Sequence, residues 1–168
     1  MDIFIINSEK SRDVSNDLLA QYTYKEFRNN NQKRLHQFSY LMLDRILKDF
    51  YKIENRSIVH VAGKPELISK EKYLSISHSG SFIALAFSDY NCGIDIEKIT
   101  KRDYKKISER MGFVSKSLKD FYYNWTKYEA EYKLKDETES IYQFEIPEYI
   151  ITAVCKNANE KYEVYYSL

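Results

Sequence analysis

The stretch from Tyr73 to Glu97 constrains the fold of this chain more than any other. Tyr73-Leu74-Ser75-Ile76-Ser77 is apolar at alternate positions and reads as a strand that runs into a polar turn, His78-Ser79-Gly80. Phe82 to Phe87 is a second strand, Tyr90-Asn91 turns the chain, and Gly93-Ile94-Asp95-Ile96-Glu97 is a third. Three short strands with brief turns between them predict an antiparallel meander.

Helical patterns flank that segment. From Lys33 to Phe50, Leu35, Phe38, Leu41, Met42 and Ile46 recur at spacings of three and four. Lys116 to Lys135 is the longest helix candidate, and Phe121, Trp125, Tyr128 and Tyr132 form one aromatic stripe along it. A shorter helix is expected over 103–111, and a weak one over 12–27 with Asp13 or Ser15 as its cap. Asn29-Asn30-Asn31 reads as a turn and Gly63-Lys64-Pro65 as a break. Further strands are expected at residues 2–6, 58–61 and 162–166, with a hairpin from Tyr142 to Cys155 turned at Pro147-Glu148. The order of helices and strands predicts an α+β chain with two similar halves meeting near residue 80 or 90.

At 168 residues the chain is long enough for one domain, or two small lobes on a shared core. Lys and Arg number 26 against 25 Asp and Glu, which argues against a strongly basic nucleic-acid coat. Apolar runs such as Phe4-Ile5-Ile6 fall far short of a membrane span, and Met1-Asp2-Ile3-Phe4 has no basic leader. Cys92 and Cys155 are too few for a disulfide framework, which makes the cytoplasm the expected compartment. Glycine occurs only 4 times against 16 tyrosines, so each glycine is expected where its backbone freedom is needed.

The chemistry concentrates in the third strand and the long helix. Strand side chains alternate, so Asp95 and Glu97 share one face while Ile94 and Ile96 take the core side. Adjacent carboxylates repel unless a cation lies between them, and oxygen donors suit Mg²⁺ or Mn²⁺. A wet strand face gives the same D-x-E pattern. Glu129 and Lys133 stand four apart on one helix face, as a third carboxylate and a cation for phosphate or as an ordinary surface pair. Ser77 and His78 adjoin on a strand and so point apart, and no G-x-S-x-G elbow is present. That disfavours a serine hydrolase and leaves both residues as donors to phosphate oxygens or as a plain polar turn. Lys64, beside Pro65, offers a further cation.

Taken in order, Ile76-Ser77-His78-Ser79-Gly80, Gly93-Ile94-Asp95-Ile96-Glu97, and Trp125-Thr126 with Glu129-Ala130 and Lys133 resemble the signature of 4′-phosphopantetheinyl transferases. The type that activates carrier proteins of peptide synthetases is the most similar. Gly63-Lys64-Pro65 resembles the family's upstream G-K-P segment, and Tyr149 to Cys155 its C-terminal strand. The likeness covers roughly residues 33–156.

The resemblance implies two similar α+β lobes in one chain, a pseudo-dimer, with the active-site cleft between them; the lobes are placed at 1–88 and 89–168. It implies transfer of the phosphopantetheine arm of coenzyme A, the co-substrate, to a serine of an apo acyl or peptidyl carrier protein, with release of adenosine 3′,5′-bisphosphate. Asp95, Glu97 and Glu129 would hold Mg²⁺, with Mn²⁺ as the alternative, and Lys133 would meet the pyrophosphate. Ser77 and His78 would contact coenzyme A phosphates, His78 near the 3′-phosphate, and Lys64 would lie close to the nucleotide. The family also places an arginine at the start of its first long helix against the 3′-phosphate. Among Lys33, Arg34 and His36, Arg34 is the expected counterpart. Glu129 would take the serine proton directly or through water, or would be a pure ligand with a metal-bound water as base. Pairing of lobes within one chain implies a monomer, and no nucleic acid or membrane partner is expected.

Three departures stand out. Tyr128 occupies the position where the family has lysine, and Lys127 falls one residue early, a rotation of about 100°. The segment between Glu97 and Trp125 is short, with only Gly112-Phe113-Val114-Ser115 echoing the family's stretch there, and the N-terminal lobe is short too. Tyr128 favours an alternative, a degenerate relative that binds coenzyme A or a carrier and transfers little. Carrier proteins are generally acidic, so Lys101, Arg102, Lys105, Lys106, Lys116 and Lys119 are expected either to dock one or to form a solvated face.

Overall fold

The computed structural model describes residues 1–22, 26–27 and 29–167. Strands are β1 (Asp2–Asn7), β2 (Ile58–Val61), β3 (Lys64–Leu67), β4 (Tyr73–Ser79), β5 (Phe82–Ser88), β6 (Cys92–Lys98), β7 (Ser140–Ile146), β8 (Tyr149–Cys155) and β9 (Glu163–Ser167). Helices are α1 (Asn16–Ala20), α2 (Asn30–Asp49), α3 (Tyr104–Met111) and α4 (Leu118–Leu134), and a 3₁₀ turn spans Ser8–Asp13. The chain is α+β, and no helix among the described residues is long and apolar enough to cross a membrane.

Two sheets form the centre. The first has the order β4-β5-β1-β9 and the second β6-β8-β7, while β2 and β3 make a separate hairpin. β1 and β5 are buried on both faces, which is why Asp-Ile-Phe-Ile-Ile shows no clean alternation. Ile83, Leu85 and Phe87 of β5 pack with Phe38, Leu41, Leu43 and Leu47 of α2. On the other face Ala84 and Ala86, with Ile3 and Ile5, meet Ile94 and Ile96 of β6 and Ile151 and Ala153 of β8. The small alanines let the sheets approach. Beyond the second sheet lies α4, with Phe121 and Tyr122 against Ile150, and Ala130 and Leu134 against Val154. The layers therefore run helix, sheet, sheet, helix.

In each sheet the strand before the long helix pairs antiparallel with the second strand of the hairpin after it. β1 pairs β5 of the β4–β5 hairpin, and β6 pairs β8 of the β7–β8 hairpin. The chain passes from the first sheet to the second between Ser88 and Cys92, and β9 then returns to lie parallel to β1.

Several local expectations are corrected. The meander does not form: β4 and β5 pair, but the far edge of β5 is taken by β1 and β6 leaves for the second sheet. Asn29 is not in a turn but is the N-cap of α2, its side chain accepting from the Gln32 N–H at 2.8 Å. Lys64 and Pro65 are not in a break but lie in β3, the turn being Ala62-Gly63 with both φ positive. The weak helix shrinks to α1, capped by Ser15, and residues 23–25 of its expected span lie outside the described residues. Phe121 of the aromatic stripe is fully buried, but Tyr128 and Tyr132 turn outward, 41% and 66% exposed.

Candidate functional site

The site is built where the two sheets touch edge to edge. β4 and β6 share no backbone ladder; three serines on one face of β4 tie them together. Ser75 Oγ accepts the Ile94 N–H at 3.1 Å. Ser77 Oγ donates to Asp95 Oδ1 at 2.7 Å. Ser79 Oγ accepts the Lys98 N–H at 3.0 Å and donates to Glu97 Oε2 at 2.9 Å. Strand alternation supplies the spacing on both sides, so the serine row meets the carboxylate row.

α4 closes the site from the other side. Its N-cap is Ser117, and the Thr126 hydroxyl fixes its rotation by bonding Thr152 Oγ1 of β8 at 2.7 Å in full burial. Gly93 of β6 lies under Ala130, near enough that no side chain fits between strand and helix. In this seat Lys133 does not pair with Glu129, as an ordinary helix-surface pair would. Its Nζ donates to Asp95 Oδ1 at 2.8 Å and to the Ile94 carbonyl at 3.0 Å.

The electrostatics are unrelieved. Asp95 is 4% exposed, and its Oδ2 is buried with no hydrogen-bond partner. The Glu97 carboxyl is raised above the ordinary carboxylate range by burial and then by the Asp95 charge, against hydrogen bonding from Ser79 and a smaller pull from Arg102 and the Trp125 indole. Glu129 is raised by burial and by Asp95, with Lys133 opposing. The Asp95 charge thus acts on both Glu97 and Glu129, and Lys133 bonds Asp95.

An orphaned carboxylate oxygen beside two carboxyls driven toward protonation is a donor set suited to a hard divalent cation. Among the described residues no group of three or more His, Cys, Asp and Glu is gathered so as to hold a metal ion by itself. Mg²⁺ does not require such a cage, since it is ordinarily held by one or two carboxylates, waters and substrate phosphates. The residues fit on donor chemistry, with Asp95 the anchor and Glu97 and Glu129 its neighbours.

Two adjoining cavities open beside Lys133, one of them also beside Glu129. One of about 510 Å³ is lined by His36, Tyr40, His60, Ser77, His78 and Lys133, among others. The second, of about 370 Å³, includes Glu129, Tyr132, Lys133 and Lys135. Gly63, Pro65, Ile76 and Lys133 belong to both, so the Lys133 ammonium stands at the junction of one continuous cleft under the β2–β3 turn.

Of the residues singled out in the sequence, Asp95, Glu97, Glu129, Lys133, Ser77 and His78 are brought together here. Lys64 lines the second cavity with Glu129 and Lys133, while Arg34 lies outside both. The Lys64 ammonium is buried against Asn91 Oδ1 at 2.6 Å and the Cys92 carbonyl at 2.8 Å, and burial pushes its pKa down. It pins β3 to the turn before β6. Arg34 bonds Asn16 Oδ1 at 2.7 Å, the Val14 carbonyl at 2.9 Å and the Ser11 carbonyl. It lines a separate cavity of about 290 Å³ beside the Gly80-Ser81 turn. Of the three candidates at the start of α2, it is His36 that lines the cleft. Tyr40 and His60 were not singled out in the sequence, although His60 and His36 complete the set of 3 histidines in the chain. Tyr128 packs edge-on to Phe113, and Lys127 faces Glu131 at 3.9 Å.

Neither the family models nor the curated proteins searched give a match to this chain.

Proposed function

We propose that this chain is a 4′-phosphopantetheinyl transferase that moves the phosphopantetheine arm of coenzyme A to a serine of an apo acyl or peptidyl carrier protein, releasing adenosine 3′,5′-bisphosphate. The observation that carries the reading is the Ser77–Asp95–Lys133 cluster at the seam of the two sheets, with both cavities opening from Lys133. A diphosphate lying across that junction would meet the Lys133 ammonium with Glu129 beside it, and Asp95 stands behind Lys133.

The matching strand orders β4-β5-β1 and β7-β8-β6, each built around a long helix, support two similar lobes related as a pseudo-dimer, with the cleft between them. The first lobe is 1–88 and the second 89–168, except that β9 augments the first sheet. Such a chain closes its own cleft and works as a cytoplasmic monomer.

Phosphoryl transfer needs neutralised charge and an aligned nucleophile. Asp95, with Glu97 and Glu129, would hold Mg²⁺ (or Mn²⁺), which when bound offsets charge on the diphosphate. Lys133 presents its ammonium to the phosphate that departs, and its bond to Asp95 keeps it extended from α4 into the cleft. His78 would meet a phosphate oxygen, while Ser77 gives its proton to Asp95 and lines the same cavity. The carrier serine oxygen forms a bond to the β-phosphorus as the bond to the bridging oxygen breaks, and the electron pair leaves on adenosine bisphosphate. Glu129, whose carboxyl is already raised, is fit to receive the serine proton directly or through water. Lys101, Arg102 and Lys105 are exposed and suit an acidic carrier, whereas Lys119 is engaged by Glu145 at 2.8 Å.

The test is to incubate the protein with coenzyme A, Mg²⁺ and an apo carrier and weigh the carrier by intact mass spectrometry. The carrier gains the mass of the phosphopantetheine arm, and Asp95→Ala or chelation abolishes the gain. A carrier left unchanged while coenzyme A still binds would favour the second reading, a degenerate binder. Tyr128 in the lysine position is the observation behind that reading, and Tyr128→Lys is its next test.

A further inference from the structure

We propose that Lys135 is a positioning residue of the cleft: it fastens the β2–β3 turn to the end of α4, and so sets how tightly the cleft holds coenzyme A. The inference rests on the reading of the cleft as a coenzyme A site.

The β2–β3 hairpin belongs to neither large sheet. Its register pairs Val61 with Lys64, which leaves Ala62 and Gly63 as a two-residue turn. Both have positive φ, 49° and 84°, as a type I′ turn requires. Glycine takes that conformation freely and asparagine tolerates it, but alanine does not. Ala62-Gly63 is therefore a weak turn by itself. Val61, Ala62 and Gly63 are also exposed, so burial does little to hold them. Yet Gly63 and Pro65 border both cavities, and a displaced turn would reshape each of them.

The end of α4 supplies what the turn lacks. Lys135 follows the helix in the left-handed conformation, with φ 56°, and redirects the chain. Lys133 reaches Asp95, whereas Lys135 reaches the hairpin. The Lys135 Nζ donates to the Ala62 carbonyl at 2.7 Å and to the Val61 carbonyl at 3.4 Å. Bonds from a charged donor are the stronger kind. A second tie runs through buried groups. Lys64 Nζ donates to Asn91 Oδ1 at 2.6 Å, and Asn91 Nδ2 donates to the Leu134 carbonyl at 2.8 Å. The buried tie holds β3, and Lys135 holds the exposed turn. The rim of the cleft is thus docked on the last turn of the helix that carries Lys133.

The test uses the full chain without carrier. Hydrogen exchange over residues 58–67 and calorimetric titration of coenzyme A are read on wild type, Lys135→Met, Lys135→Arg, and Lys135→Met combined with Ala62→Asn. Lys135→Met speeds exchange in that segment about tenfold, leaves β5 unchanged, and weakens coenzyme A binding about fivefold. Lys135→Arg keeps a charged donor, and both values stay within about twofold of wild type. Ala62→Asn gives the turn a residue that suits its backbone and restores most of the affinity lost in Lys135→Met. That rescue separates positioning from a direct charge on the ligand, which asparagine at the turn cannot replace. Unchanged exchange in Lys135→Met, unchanged coenzyme A affinity, or a loss of affinity that Ala62→Asn does not recover overturns this inference alone. Absence of coenzyme A binding by the wild type overturns the reading of the cleft, and this inference with it.

Discussion

Gly93→Ala tests the seat of α4 on β6 and, through it, the alignment of the site. A Cβ at Gly93 would stand 2.0 Å from the Ala130 carbonyl oxygen and 2.9 Å from the Leu134 nitrogen. Both are backbone atoms inside a helix, so no side chain can swing away. Reaching an ordinary contact near 3.4 Å requires strand and helix to separate by more than 1 Å. Overpacking of this kind costs about 1–3 kcal/mol, and the rigid backbone on both sides argues for the upper end. The gain from replacing glycine in a strand is about 0.5–1 kcal/mol and does not offset it. In a chain of this size a net loss of about 2 kcal/mol lowers the melting temperature by roughly 4–8 °C. Glu129 and Lys133 flank the contact on α4, and a displacement of about 1 Å costs on the order of a hundredfold in rate. The assays are a urea titration and a coenzyme A transfer assay on the same preparation. A variant with unchanged midpoint and transfer within threefold of wild type would refute the described packing of α4.

Glu97 and Glu129 have folded-state pKa values above their unfolded ones, so the native chain holds more protons near that range and loses stability as pH rises through it. Mg²⁺ is therefore expected to raise the melting temperature more at pH 7.5 than at pH 5; an equal or absent shift in a thermal scan would remove the argument for a cation. Thr126→Val removes one of two bonds to the buried Thr152 hydroxyl, leaving the Gln143 amide at 2.8 Å, and urea unfolding should register a loss of about 1 kcal/mol. Lys105→Glu combined with Lys101→Glu should raise the carrier KM severalfold while sparing coenzyme A affinity; steady-state kinetics with an unchanged carrier KM would dispose of the docking face.

What was legible in the sequence was local. Residues 2–6, 82–87 and 93–97 show as strands because β-branched and apolar side chains recur over the length of one strand, and α4 shows because its period is helical. Partners were not legible. Nothing in Tyr90-Asn91 says whether β6 pairs back onto β5, since that depends on β1, some 80 residues away, occupying the edge first. The same distance hid Arg34, whose position at a helix start matches a ligand contact but whose guanidinium caps the carbonyls of the 3₁₀ turn and the residue after it. It also hid Tyr40 and His60, brought together by α2 lying over β2. Gly93 had been expected to serve backbone freedom. Its requirement is instead the absence of a side chain, which no local pattern reports.

The D-x-E of β6 offered two readings, a wet strand face or a cation site, and burial of Asp95 excludes the first. A wet face would leave Asp95 in solvent with ordinary neighbours. Asp95 is instead 4% exposed, with one oxygen held by Ser77 and Lys133 and the other unsatisfied. Leaving a buried carboxylate oxygen unpaired costs about 1–3 kcal/mol or more, and Glu97 and Glu129 beside it are raised rather than lowered. A fold gains nothing in stability from that arrangement, because Ser77 and Lys133 satisfy only one side of it. The deficit lies behind Lys133, which itself lines the cleft. Strain of this kind is reasonable where a ligand completes the structure, whereas the Lys64 ammonium and the Arg34 guanidinium already have partners within the fold.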